Sequence, residues 1–341
     1  MEILSSSDRD LERAAAALTA GALVAFPTET VYGLGGDAFN LSALAKIFEV
    51  KNRPRFDPLI IHIAELNALS RIVDTASLNS VTRERLSLLS ERLWPGPLTL
   101  ILPKRPELPG LATAGLATAA VRFPSHLLAQ KLIRLSTGAV AAPSANPFGY
   151  LSPTRAEHVK AQLGERVDFI IDGGRTLVGV ESTVLDISRD PPRILRPGGT
   201  SREMVEAIIG PVELSVEPSS GAEDADKATN ERPLSPGQLK SHYAPRTPLI
   251  LCRRGELVSL PDVSGEGRLY FSSPEKKFCG NTDRMRVLSE TGDLNEAAAN
   301  LFDMLHELDS LGLSLIRAEE APGRGLGEAI NDRLRRAGNK N

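Results

Sequence analysis

The 341-residue chain is 41% hydrophobic and 24% charged, the balance of a soluble globular protein, and its length suggests about two domains. A net charge of −3 argues against a protein that coats nucleic acid with a basic surface. Two cysteines, Cys252 and Cys279, form no CxxC pair and stand near no histidine cluster, so neither a zinc site nor a disulfide framework is expected, which fits a reducing cytoplasm. The N-terminus carries acids and no apolar signal core, and no run of about 18 apolar residues suggests a membrane span.

Residues 8–20 read as a helix that Gly21 stops, followed by the strand LVAF (23–26). Residues 26–38, FPTETVYGLGGDA, then read as a strand entering a glycine-rich turn ahead of a helix. In that helix Leu41, Leu44, Ala45 and Phe48 share a face, Asn40 is the N-cap, and Pro54 sets the limit. PLIIHIA (58–64) is the next strand. A helix over 79–93 leads to WPGP and the strand LTLIL (98–102). AVRF, a helix over 127–135 and AVAA (139–142) continue the alternation. A helix near 154–163, the strands VDFII, TVLDI and RILRPG, and a helix over 201–209 follow. Several strands lie too close together for helical crossovers, so the expected fold is α/β around a twisted, open, mixed sheet. Composition turns polar and acidic after Gly210. This suggests a domain over 1–210, a linker over 211–247, and a second, smaller α/β domain over 248–341 with strands PLILC, RLYF, RMRVL and LSLIRA and helices over 293–311 and 325–337.

Five segments carry groups suited to chemistry. In FPTETVYGLGGDA, hydroxyls and glycines suit an anion or a tight turn, but the spacing is that of neither a P-loop nor a dinucleotide fingerprint. In KNRPRFDPLIIHI (51–63), extended backbone lets Lys51 and Arg53 converge on one anion, with Arg55 nearby, or else form a solvated cluster. His62 shares a face with Ile60 and is either a ligand-facing or a hydrogen-bonded core imidazole. Arg122, among small and apolar residues in AVRFPSH, needs an anionic partner, either substrate or a structural acid. APSANPFGYLSPT (142–154) offers Ser144, Asn146 and Ser152 at a strand end, where α/β folds bind ligands. Ser182, Thr183 and Arg196 occupy further strand margins. The inventory suits a polyphosphate beside a second small anion. No defensible Ser-His-Asp order, HExxH motif or carboxylate cluster for a protein-held metal is present.

Taken in order, FPTETVYGLGGDA, KNRPRFDPLIIHI, WPGPLTLIL, AVRFP, APSAN with LSPT, ESTV, RPG, SPGQLKSHYAP (235–245) and PGRGLGEAINDRL resemble the threonylcarbamoyl-AMP synthase family in its longer, two-domain form. The resemblance implies a YrdC-like first domain with a positive groove and a small Rossmann-like second one. It implies an ATP-dependent nucleotidyltransferase that joins L-threonine, bicarbonate or CO2, and ATP into threonylcarbamoyl-AMP and pyrophosphate, for N6-threonylcarbamoyladenosine in tRNA. Lys51 and Arg53 are then the catalytic cations at the phosphates. Asp57, Thr118, Ser144, Asn146, Ser152, Arg196 and Tyr243 line the nucleotide side. Thr28, Thr30, His62, Arg122, the backbone of Ala142, and Ser182 hold threonine, with Arg122 at its carboxylate. Asp57 departs from the asparagine expected there. Mg2+ arrives with ATP, no organic cofactor is implied, and the product passes to the tRNA-modifying transfer complex. Two rival readings stand beside this: an RNA-binding module gripping a duplex through Lys51, Arg53 and Arg55, and a carbamoyltransferase using carbamoyl phosphate.

Overall fold

The computed structural model describes residues 1–215, 235–237, 242–274 and 282–339. Cys279 and residues 238–241 of SPGQLKSHYAP lie outside them. The first unit runs β1 (Glu2–Leu4), α1 (Asp8–Thr19), β2 (Val24–Phe26), β3 (Gly33–Asp37), α2 (Leu41–Lys51), β4 (Ile60–Ile63), α3 (Ser80–Leu93), β5 (Leu98–Pro103), β6 (Thr118–Arg122) and α4 (Leu127–Leu135). It continues through β7 (Ala139–Ala141), α5 (Ala156–Leu163), β8 (Phe169–Ile171), β9 (Thr183–Asp186), β10 (Arg193–Arg196), α6 (Arg202–Ile209) and β11 (Glu213–Leu214). These strands form one 11-stranded sheet in the order β1-β8-β2-β3-β7-β4-β6-β5-β9-β10-β11. The sheet is mixed, because the short β2–β3 and β9–β10 connections allow only antiparallel pairing, whereas β4–β6 and β5–β9 run parallel. β11 pairs with β10, so the sheet continues past Gly210, where composition first turned polar.

Helix starts follow local chemistry. The side chains of Ser7, Asn40, Asn79 and Ser201 each accept from a first-turn backbone N–H, a cap that contributes about 1 kcal/mol. Asn52 closes α2 in the left-handed conformation before Pro54. One expectation is corrected here: GLGGD is a strand, not a turn. A Cβ on Gly35 would lie 2.7 Å from the Phe26 ring and 2.9 Å from Val140, so the glycine allows strands and side chains to pack closely.

The second unit comprises β12 (Leu249–Cys252), β13 (Glu266–Ser272), β14 (Met285–Ser289), α7 (Leu294–Ser310), β15 (Leu315–Glu319) and α8 (Gly327–Gly338). Its sheet, β12-β15-β13-β14, is wholly parallel. The two units share a core. Val31, Leu151, Val180 and Tyr243 pack in one apolar cluster with Phe302, Leu301 and Leu305 of α7. Gly179 makes this approach possible: its φ is +75°, and a Cβ there would meet the Ala298 carbonyl at 2.3 Å. Asp303 of α7 anchors the contact through Arg155 (2.8 and 2.9 Å) and Arg175 (3.4 Å). His158 of α5 stacks on His306 of α7 with ring centroids 3.9 Å apart.

Candidate active site

The carboxyl end of β7 and the loops beside it border a cavity. Strand register sets its floor. His62 on β4 lies opposite Arg122 on β6, which lies opposite Thr99 on β5, so alternation turns all three toward one face. Ile60 shares that face with His62, and both line the cavity. The His62 Nδ1 lies 3.2 Å from the Ile60 carbonyl. Burial, reinforced by the Arg122 charge, pushes the imidazole pKa down to about 3, so it is neutral across the working range.

Three guanidinium groups enter the cavity wall from different elements: Arg53 after α2, Arg122 from β6 and Arg196 from the end of β10. All three are buried. Arg53 is clamped by Asp57, whose carboxylate lies 2.9 Å from Nη2, and donates to the Asp57 and Pro58 carbonyls at 3.2 and 2.7 Å. Arg196 donates to the Ser182 carbonyl (2.8 Å) and hydroxyl (3.2 Å) and to the Pro236 carbonyl (3.2 Å). Arg122 lies 2.8 Å from Glu29, although neither Glu29 oxygen has an aligned hydrogen bond. Its partner is therefore a structural acid, one of the two alternatives open from the sequence, while the guanidinium still borders the cavity. Thr28 and Thr30 share a 2.8 Å hydroxyl contact, and Ser182 shares one of 2.7 Å with Thr99.

Of the residues singled out from the sequence, Thr28, Thr30, Arg53, His62, Arg122, Ala142, Ser144, Ser182, Arg196 and Tyr243 line this cavity. The others sit outside its lining. The Lys51 ammonium turns away, donating to the Ser144 carbonyl at 2.6 Å and to that of Asn146, so it braces the loop after β7 instead of joining Arg53 at one anion. Burial, with Arg53 nearby, holds its pKa well below the ordinary lysine value. Asp57 faces Arg53, Asn146 donates to the Pro147 and Tyr150 carbonyls, and Ser152 donates to Glu181. Thr118 starts β6, two pleats before Arg122. Arg55 is exposed.

The amino-acid pattern alone missed Glu29, Glu181 and His242. Glu181 lines the cavity, and α8 pairs with it through Arg333 at 2.7 Å. Burial raises the Glu181 pKa, but Arg333 and Arg196, with the Ser152 hydroxyl, outweigh it and keep the group ionised. Both acids lie inside quoted motifs, PTET and ESTV, where a carboxylate amid buried cations was the available signal. His242 and Tyr243 close one wall. Tyr243 is 1% exposed at a φ of +62°, a strained backbone for a bulky residue.

A family model described as "Telomere recombination" matches residues 16–198, and one described as "Threonylcarbamoyl-AMP synthase, C-terminal domain" matches residues 200–339. The chain is 43% identical over 340 residues to the threonylcarbamoyl-AMP synthase of Bacillus subtilis, covering 98% of this chain and 94% of the relative. The chain belongs to the threonylcarbamoyl-AMP synthase family. The Pyrococcus abyssi member is 42% identical over 328 residues, 95% of this chain and 92% of its own length. A crystal structure of P. abyssi Sua5 complexed with L-threonine superposes with a TM-score of 0.86 at 38% identity, over 99% of this chain and 98% of that one. Family membership agrees with a two-unit α/β fold whose cavity is cationic and hydroxylic. Among the described residues no helix is long and apolar enough to cross a membrane.

Proposed function

We propose that the cavity makes threonylcarbamoyl-AMP and pyrophosphate from L-threonine, bicarbonate or CO2, and ATP, and that the product supplies tRNA threonylcarbamoylation. The observation that carries this reading is the convergence of Arg53, Arg122 and Arg196 on one space that also presents Thr28, Thr30 and Ser182 hydroxyls. The threonine amine adds CO2 to give a carbamate. A carbamate oxygen attacks the α-phosphorus of ATP, and pyrophosphate leaves. Such a step needs positioning and charge neutralisation more than a covalent nucleophile. Arg53 and Arg196 stabilise the phosphates. Lys51 acts on them indirectly, by fixing the loop of Ser144 and Asn146. Arg122 takes the threonine carboxylate, and neutral His62 with Thr30, Ser182 and the Ala142 backbone surrounds the rest of the amino acid.

Mg2+ travels with ATP. The acids nearest the cavity, Glu29, Asp57 and Glu181, are each committed to an arginine, and no group of three metal-binding side chains occurs among the described residues. The Pro236, Gly237, His242 and Tyr243 wall is a lid that moves aside for ATP and closes over the adenylate, keeping water from a labile mixed anhydride. The P. abyssi complex with L-threonine supports the choice of amino acid.

Incubation with ATP, L-threonine and bicarbonate, followed by mass analysis, tests the reading: the adenylate forms only with all three, and its absence refutes the reading. Arg122→Lys retains charge but loses the planar fork, and is expected to raise the threonine KM by about tenfold, or about 1.4 kcal/mol, with the ATP KM unchanged. An unaltered threonine KM would place the carboxylate elsewhere.

A further inference from the structure

Arg333 of α8 is the largest fully buried side chain described and lies across the unit boundary from the cavity it influences. Its Nε donates to Glu181 Oε2 at 2.7 Å, and Glu181 Oε1 accepts from the Ser152 hydroxyl. The guanidinium carbon lies 4.8 Å from the Tyr243 ring centroid, and Phe302 of α7 packs on the same ring at 5.9 Å. Asp332 takes Nη1 at 2.5 Å, while Nη2 has no hydrogen-bond partner among the described residues. One guanidinium thus joins an acid in the cavity wall to an aromatic residue in its lid. A cation against an aromatic face is strongest where water is excluded, and Arg333 has no solvent exposure.

We infer that Arg333 is a positioning residue of the active site, through which docking of the small-sheet unit holds the Tyr243 lid closed and keeps Glu181 from entering the phosphate region. The inference rests on the function proposed above. The physical logic is a charge balance. Arg196 needs its charge for phosphate, and Glu181 without Arg333 would turn to Arg196, its other cationic neighbour, and neutralise it. Tyr243, held at a positive φ, depends on the surrounding contacts, of which Arg333 is one, to stay there. Loss of Arg333 therefore reopens the lid and weakens the phosphate subsite together. PGRGLGEAINDRL, which contains this residue, thereby acquires a role in the chemistry.

The test is ATP-dependent pyrophosphate release by the full chain carrying Arg333→Ala, with KM and kcat resolved for ATP and for threonine. The expected result is a rise of about tenfold in the ATP KM with a smaller change in kcat, because a lost lid contact weakens nucleotide retention. Ethylguanidinium added to Arg333→Ala is expected to recover several-fold in kcat/KM for ATP, and ethylammonium at the same concentration is not. Because Arg333→Ala strands the Glu181 charge, the double variant Glu181→Gln with Arg333→Met is measured beside it; it is expected to fold and to retain the ATP KM defect. A wild-type ATP KM in either folded variant overturns the inference, as does equal rescue by both cations. A wild-type chain that releases no pyrophosphate overturns instead the function on which the inference rests.

Discussion

Replacing Arg53 with alanine is expected to slow ATP-dependent pyrophosphate release by ~10- to 100-fold, with the threonine KM little changed. The range follows from one or two charge-assisted hydrogen bonds to phosphate at roughly 1.5–3 kcal/mol each, discounted for the incomplete additivity of neighbouring contacts. Arg53 is suited to this role because it is held before substrate arrives. The Asp57 carboxylate, two backbone carbonyls and the Phe148 ring, 5.9 Å away, fix its plane at the cavity wall. A donor already oriented needs no reorganisation when charge shifts toward the leaving pyrophosphate. The same clamp complicates the single substitution, because Arg53→Ala leaves Asp57 buried without its cation, and breaking a buried pair costs about 3–5 kcal/mol of stability. Burial already raises the Asp57 pKa despite Arg53, so the stranded acid takes up a proton more readily. The double variant Arg53→Ala with Asp57→Asn separates the two effects. It should fold like wild type and remain slow. A double variant at the wild-type rate would assign the loss to the orphaned carboxylate and remove Arg53 from the phosphate site. Asp57→Asn alone should cost little, since Arg53 keeps its two carbonyl acceptors.

Periodicity exposed those parts of the molecule whose chemistry is local. Strand alternation placed His62 with Ile60 on one face, and the spacing of short strands required a mixed sheet. Caps such as Asn40 marked helix starts because the capping hydrogen bond lies within three residues. Packing across the sheet was not local, and so was not legible. The glycines of β3 looked like a turn because Phe26, Val140 and the residues of α2 that press on them come from three other elements. Alternation along an extended backbone would put Lys51 and Arg53 on one side, yet Lys51 is the last residue of α2 and reaches carbonyls nearly a hundred residues away. The acids were harder still. A glutamate in PTET or ESTV is legible as a letter, but its pairing with Arg122 or Arg333 depends on strand order and on docking of the second unit. Asp57, an apparent repulsion toward phosphate, is resolved by geometry: the carboxylate neutralises the inner edge of Arg53 and does not line the cavity.

Acidification from pH 6.5 to 5 is expected to lower the melting midpoint by on the order of 10 °C, with the contact between the two units weakened first. The cause is histidine burial. His62 titrates at about 3, and His158 and His306 at about 4, against an ordinary value near 6.5. Burial is the leading cause in each case, reinforced by Arg122 at His62, opposed by Asp303 at His158, and reinforced by the stacked His158 at His306. These are depressed folded-state values, so the unfolded chain binds the extra protons. The stabilisation is present above pH 6.5 and is lost as pH falls from 6.5 toward 4. These three rings alone take up about three protons on unfolding, a slope approaching about 4 kcal/mol per pH unit near pH 5, and His242 and His126, whose pKa values burial also lowers, steepen it further. Asp57, whose pKa burial raises, works in the opposite direction. The stacked pair directs the loss to the boundary: two imidazoliums 3.9 Å apart repel, and His306 also donates to the Ser152 carbonyl beside the cavity. His306→Gln keeps a donor for that carbonyl and removes one titrating ring, so it should reduce the slope by about 1 kcal/mol per pH unit. Scanning calorimetry across this pH window decides the matter, and a midpoint that stays flat from pH 7 to 5 would mean that these rings are not buried neutral in solution.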